Sequence, residues 1–424
     1  MRTLMPFLFL AATLHAKPLE LSVNAEAAIL MNAQTGKVLF EKNAYGQAYP
    51  ASTTKIATAL YALYKYSDRL EDILTADREA VASITPQAKK QSNYRSPPHW
   101  LETDGTHVGI KRGEEIKLYD LLHLMMIASA NDAANVIAQG LGGSISKFME
   151  GENEFLKQIG CSNTNYNNPH GLHHPQHVTT AYDLALMAKE AMKYPLFCQI
   201  VSLSRYTSPQ TNLEPERHIL QGNHLLRKGP FYYPKAIGIK TGFTSTSGKN
   251  LVAAAQNEER VLIAVALGYR GPRSELYHDM IKMFDTAFSE PKLCRTLLPS
   301  GEQKVMAHVP GATQPLKTTL SESLIYNFYA SEEAPVKVAV KWEIPPLPIT
   351  AGTVVGKIQI IDIQGNVIKQ APLLAAEELK ANLTHSFGRL LTHNHLGRKV
   401  AFGGGAALVL FIAWRMRLRR KTLS

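Results

Sequence analysis

Cysteine and tryptophan are scarce in this chain, with three of each among 424 residues. Cys161, Cys198 and Cys294 are widely spaced and odd in number, which excludes a disulfide framework and leaves no pair with zinc-ligand spacing. Cys161 and Cys198 could bridge in an oxidising compartment, with buried free thiols as the alternative. No role in catalysis is expected of them. A long apolar run is also missing. The best candidate, residues 400–414, is free of charge for 15 residues, about 22 Å as a helix against roughly 30 Å of bilayer hydrocarbon. A basic stripe through the middle is absent as well. The net charge is +11, but Arg2, Arg398, Lys399, Arg415, Arg417, Arg419, Arg420 and Lys421 supply eight of the positive charges at the two ends. The remainder is close to balance, which argues against nucleic acid as a partner.

What is present fits a globular protein with room for two cores: 45% apolar and 19% charged residues. Residues 1–16 carry one basic residue, an apolar run and a small residue at Ala16, the pattern of a secretory signal peptide, and Lys17-Pro18 ends it abruptly. Export is the expectation. At the other end Leu379, Leu383, Phe387, Leu390 and Leu391 recur at helical spacing, which predicts an amphipathic juxtamembrane helix over 377–399. Flanking Arg and Lys can snorkel and Trp414 suits an interface, so 400–414 reads as a short transmembrane segment. The basic tail 415–424 then lies in the cytoplasm, with the large domains on the outer, periplasmic face of the inner membrane.

The stretch around which the rest is arranged is Ser52-Thr53-Thr54-Lys55. Pro50 and small residues precede Ile56, Leu60 and Leu63 at helical spacing, so a helix starts near Ser52. Residues three apart share a helix face, which brings the Lys55 amine to the Ser52 hydroxyl beside an N-terminus that favours an oxyanion. The same four-residue pattern occurs at Ser144 to Lys147 and at Ser289 to Lys292. Only Ser52 is followed 77 residues later by Ser129-Ala130-Asn131 and a further 111 later by Lys240-Thr241-Gly242.

In chain order, residues 27–32 and 37–41 read as a hairpin around Gln34-Thr35-Gly36. A polar loop over 83–106 follows the first helix, either shaping substrate access or an exposed insertion. The apolar stretch 118–126 predicts a helix, with Ser129 and Asn131 in a tight link to the next one; capping is the bland role for either. Residues 168–183 form a loop closing into a helix. His170, His173, His174 and His177 crowd it, yet Pro169, Gly171 and Pro175 break any ligand spacing, so a hydrogen-bonded loop is expected, with neither metal nor cofactor. Residues 237–243, 250–255 and 260–268 read as strands and 276–287 as a covering helix. The implied catalytic unit, residues 17–289, is α+β: an antiparallel sheet covered by helices. Short alternating runs over 290–376 predict a small all-β sandwich.

The three motifs in this order are the signature set of penicillin-binding proteins and serine β-lactamases. With Thr35-Gly36-Lys37, Asn168-Pro169-His170-Gly171 and Lys240-Thr241-Gly242-Phe243-Thr244, the chain resembles the D-alanyl-D-alanine carboxypeptidases, the low-molecular-mass penicillin-binding serine peptidases. The resemblance implies peptidoglycan stem peptides as substrate, β-lactams as covalent inhibitors, and an acyl-enzyme on Ser52 that releases D-alanine. It implies Lys55 as base, Ser129 as proton relay, Asn131 on the substrate amide, and Lys240 with Thr241 on the terminal carboxylate. Gly242 leaves the strand bare, and the N–H groups of Ser52 and Phe243 form the oxyanion hole. Rival readings are a D,D-endopeptidase acting on cross-links, a serine β-lactamase and a catalytically silent envelope-binding protein. Against the β-lactamase, no glutamate lies between Cys161 and His170, and Glu150, Glu152 and Glu154 fall in an earlier predicted helix.

Overall fold

The computed structural model describes residues 17–382. The predicted signal peptide, the span 400–414 and the basic tail lie outside the described residues, and among those described no helix is long and apolar enough to cross a membrane.

The larger unit, Lys17–Pro291 with Ala330–Glu332, is built on an antiparallel sheet. Its strands are β1 (Ala27–Asn32), β2 (Val38–Lys42), β3 (Ala236–Thr244), β4 (Gly248–Asn257) and β5 (Arg260–Tyr269), in the order β2-β1-β5-β4-β3. The register pairs Ala28 with Ala266, Val252 with Val265 and Lys240 with Val252. First and last segments of the unit are thus neighbours, and β3 is an edge. β4 and β5 read as near-continuous apolar runs because both faces of the sheet are covered. Ile29, Met31, Val252, Ala254, Ile263 and Val265 point into one core with α1 (Lys55–Tyr66), α2 (Leu118–Ile127), α3 (Asn131–Gly142), α4 (Ile145–Gln158) and α5 (Ala181–Ala191). Their alternates Leu251, Ala253, Leu262 and Ala264 pack under Leu276, Met280, Met283, Phe284 and Ala287 of α6 (Arg273–Phe288). Each such large side chain contributes about 1.5–3 kcal/mol when buried.

The stretch 83–106 is not the bare loop that its polarity suggests. It holds a short helix, Pro86–Gln91, capped by the Thr85 hydroxyl, and Ser83–Ile84 pairs with Leu101–Glu102. Lys89 is buried in it against Glu102 at 2.8 Å. A buried ion pair reads as polar sequence although it is interior structure.

The second unit begins at Lys292 and is the expected two-layered β domain. A five-stranded sheet is formed by Gly301–Ala307, Leu316–Leu320, Lys337–Trp342, Val354–Ile361 and Val367–Ala375, and a ribbon by Leu293–Leu298 with Leu324–Phe328. Tyr326 and Phe328 from the ribbon meet Val338, Val340, Ile358 and Ile360 from the sheet. The domain runs past its predicted end at 376. Leu379 bridges Ile349 and Ala381 bridges Ala312, and Leu379 is buried in a second apolar cluster with Val309, Leu316 and Val355. The chain at 377–382 is therefore extended, and no amphipathic helix starts there: Leu379 is a β-domain core residue. Residues 383–399 of that predicted helix lie outside the described residues.

Candidate active site

The turn before α1 is wound tightly. Ala51 has φ 49°, in the left-handed region that an alanine rarely occupies, and Ala51–Thr54 form a single turn of 3-10 helix that carries Ser52. Three neighbours hold it there. Asn250 on β4 donates to the carbonyls of Tyr49 at 2.8 Å and Pro50 at 2.9 Å, while its own Oδ1 accepts from Gly268 N–H. His177 accepts at Nδ1 from Asn167 N–H, so its Nε2–H points at Thr54 Oγ1, 2.9 Å away, and Thr54 donates to Ala51 O. Gly171 lies directly beneath: a Cβ there would stand 1.8 Å from Ala51 O, and its φ is +94°. The histidine loop is thus a brace for the Ser52 turn. Buried and surrounded by cationic neighbours, His170 and His177 have pKa values far below the ordinary histidine range and are neutral.

Lys55 is fully buried, and its amine donates to Ser52 Oγ at 3.0 Å, Asn131 Oδ1 at 2.7 Å and His170 O at 2.8 Å. All three acceptors are neutral oxygens. Burial, then the nearby charge of Lys240, pushes the Lys55 pKa well below the usual amine range. Asn131 opens α3 but caps nothing; its side chain turns to Lys55 instead. Ser129, in the link between α2 and α3, also has a left-handed backbone, φ 64°, and such strain concentrates at functional positions. Its hydroxyl accepts from Lys240 Nζ at 2.9 Å, and Lys240 donates a second bond to Thr241 O. Burial brings the Lys240 pKa down to about 7.

Strand β3 closes the far wall. A Cβ on Gly242 would lie 3.0 Å from Ser52 N and 2.9 Å from Pro50 O, so only glycine lets the strand approach the Ser52 turn this closely. Phe243 follows at the mouth, 62% exposed. Ser52, Ser129, Thr241, Gly242 and Phe243 line one cleft of about 380 Å³, and Lys55, Asn131 and Lys240 reach it from below through their hydrogen bonds. All eight residues singled out from the sequence therefore converge. Further residues shape the site without being apparent in the motifs. Asp132, next to Asn131, ties down the 108–110 segment by accepting from the N–H groups of Val108 and Ile110, and Arg273, His224 and Tyr277 also line the cleft. Asn250 sits ten residues after Lys240, and Arg273 follows Gly271-Pro272 at a helix start; position along the chain gives them away only once the strand order is known.

A serine paired with a buried lysine, next to a second lysine and an open edge strand, defines an acyl-transferring serine hydrolase. Comparison with known proteins agrees. A sequence profile described as D-alanyl-D-alanine carboxypeptidase matches residues 12–271, and one for the C-terminal domain of penicillin-binding protein 5 matches residues 295–381. The chain is 28% identical to the D-alanyl-D-alanine carboxypeptidase DacF of Bacillus subtilis over 85% of its length and 87% of that protein. It is 30% identical to DacB2 of Mycobacterium tuberculosis over 62% of this chain and 82% of the other. The solved penicillin-binding protein 5 of Haemophilus influenzae shares the fold, with a TM-score of 0.58 at 23% identity, across 86% of this chain and all of that one. The chain belongs to the D-alanyl-D-alanine carboxypeptidase family of serine peptidases.

Proposed function

We propose that Ser52 is the nucleophile that removes the terminal D-alanine from peptidoglycan stem peptides. The observation that carries this is the Lys55 amine, buried, 3.0 Å from Ser52 Oγ and bonded only to neutral oxygens. Neutral Lys55 takes the Ser52 proton as Oγ attacks the carbonyl carbon. The oxyanion forms against the N–H groups of Ser52 and Phe243, each donor worth on the order of 3 kcal/mol. Asn131 orients the substrate amide, Ser129 passes the proton to the leaving amine, and Lys240, Thr241 and Arg273 receive the free carboxylate. Water then attacks the ester with Lys55 again as base. β-Lactams present the same carbonyl and carboxylate and acylate Ser52.

Incubating the full-length protein with pentapeptide and following both by mass spectrometry tests this: the peptide loses one alanine, and Ser52→Ala abolishes both that loss and labelling by fluorescent penicillin. Retained labelling in Ser52→Ala overturns the assignment. The uncharged run 400–414 with the basic residues after it supports a short anchor that keeps the catalytic unit at the outer face of the inner membrane. Release of the full-length protein by a carbonate wash of membranes contradicts it.

A further inference from the structure

The cleft extends beyond what a terminal alanine fills. Its volume of about 380 Å³ equals the share of roughly a dozen waters at about 30 Å³ each. Ser52, Ser129, Thr241 and Gly242 stand at the reacting end, and Ala128, Gly222, His224, Leu276, Tyr277 and Arg273 surround the other. Lys249 and Arg273 put two charges on the lining, and Leu276 and Tyr277, 3% and 2% exposed, otherwise close it with apolar surface.

The wall is preorganised. Tyr277 packs in a three-ring cluster with His224 at 5.4 Å and Phe231 at 5.2 Å, and its hydroxyl accepts from His224 N–H at 3.1 Å. The His224 imidazole, pushed down by burial and then by Arg273 and Arg227, is uncharged and offers a ring face. Gly222 leaves open the space beside the carboxylate site: a Cβ there would meet nothing closer than Thr241 Oγ1 at 3.2 Å, and its backbone is not left-handed. The absent side chain is thus not demanded by the fold.

We infer that the leaving-group end of the cleft accepts carboxyl-terminal D-residues with apolar side chains larger than methyl, such as D-leucine, D-methionine and D-phenylalanine. The inference rests on the carboxypeptidase reading. Arg273, Lys240 and Thr241 hold the free α-carboxylate while the side chain enters between Gly222, Leu276 and the His224–Tyr277 stack. The amide bond between D-alanine and the D-residue breaks, and the carbonyl carbon becomes the Ser52 ester. The D-amino acid leaves carrying the proton that Ser52 gave up. Water then splits the ester, restoring the hydroxyl and yielding the shortened peptide.

The test gives the full-length protein a series of N-acetylated peptides ending in D-Ala-D-X, with X alanine, leucine, methionine or phenylalanine, and measures released D-X by chiral chromatography. The expected result is kcat/KM within about tenfold of the D-alanine peptide for all four. Gly222→Leu, which fills the space, lowers the phenylalanine-to-alanine ratio by more than tenfold. A wild-type rate for the three larger residues a hundredfold below that for D-alanine overturns the inference and leaves the carboxypeptidase reading intact. No release from any peptide overturns that reading. An unchanged ratio in a folded Gly222→Leu overturns the placing of the side-chain site. If that variant does not fold, the wild-type series decides alone.

Discussion

Lys55 and Lys240 divide one task between them. Removing an amine from water disfavours its charge, and the two ammonium groups repel, so when Lys240 is charged Lys55 is neutral and able to act as base. Protonating Lys55 removes the base, so the rate rises with pH through its depressed pKa. Lys240 loses its proton as pH climbs past about 7, and with it the charge proposed to meet the substrate carboxylate. We predict a bell-shaped kcat/KM whose alkaline side is carried by KM, and which loses that side for a substrate ending in a carboxamide. A KM that stays flat from neutral to alkaline pH refutes this role for Lys240. Glu152 shows the same physics in a residue the chemistry does not use. It is fully buried in α4 beside Thr58, whose hydroxyl donates to Pro169 O. Burial raises its pKa to about 8. Because the folded pKa exceeds the unfolded one, its contribution to stability is complete below about pH 4.5. It is lost at about 1.4 kcal/mol per pH unit until pH passes about 8. Glu152→Met is expected to raise Tm near pH 9 by several degrees more than near pH 5; equal shifts at both contradict the buried neutral acid.

At the scale of elements, Ser52 depends on a turn that would not hold its shape alone. Ala51 pays for its left-handed backbone through contacts with β4 and with the Asn168–His177 segment. Gly171→Ala puts a methyl into Ala51 O, and backbone cannot move aside as a side chain does. We predict at least a hundredfold slower penicillin acylation for this variant, measured by stopped-flow labelling, with circular dichroism to verify the fold. Asn250→Ala takes the side-chain donor from Tyr49 O and the acceptor from Gly268 N–H, while Pro50 O keeps its bond from Thr53 Oγ1, which costs about 1–3 kcal/mol and lowers the denaturation midpoint and the acylation rate together. A variant that acylates at the wild-type rate shows that the turn needs no such brace. The edge position of β3 belongs to the same scale, because an unpaired strand edge beside Ser52 is where an extended substrate backbone can add.

At the scale of the whole molecule, what the sequence disclosed and what it withheld follow from range. The Ser52–Lys55 pairing, the strands 250–255 and 260–268 and the α6 stripe depend on local periodicity, and the structure keeps them. The role of Asn250 on the Ser52 turn, the His177 brace and the burial of Lys89 each depend on a partner brought close by the sheet order, so no local pattern announces them. Leu379 misled because leucines at helical spacing continue past it, while the residue itself closes a β-domain edge. The same long-range view decides the fate of a bound penicillin. Deacylation needs a base beside the incoming water, and the residues lining the cleft include no carboxylate. Glu152, the glutamate buried beside Thr58 of α1, is not among the lining residues. Lys55, whose amine lies 3.0 Å from Ser52 Oγ, is then the base beside the ester, and the bulky leaving end of an opened β-lactam stays tethered over the path by which water would enter. We predict that the full-length protein keeps the added mass of benzylpenicillin for minutes or longer after excess drug is removed, read by intact-mass spectrometry. Multiple turnovers per second of a chromogenic cephalosporin would show a second base at the ester and return the molecule to the β-lactamase reading.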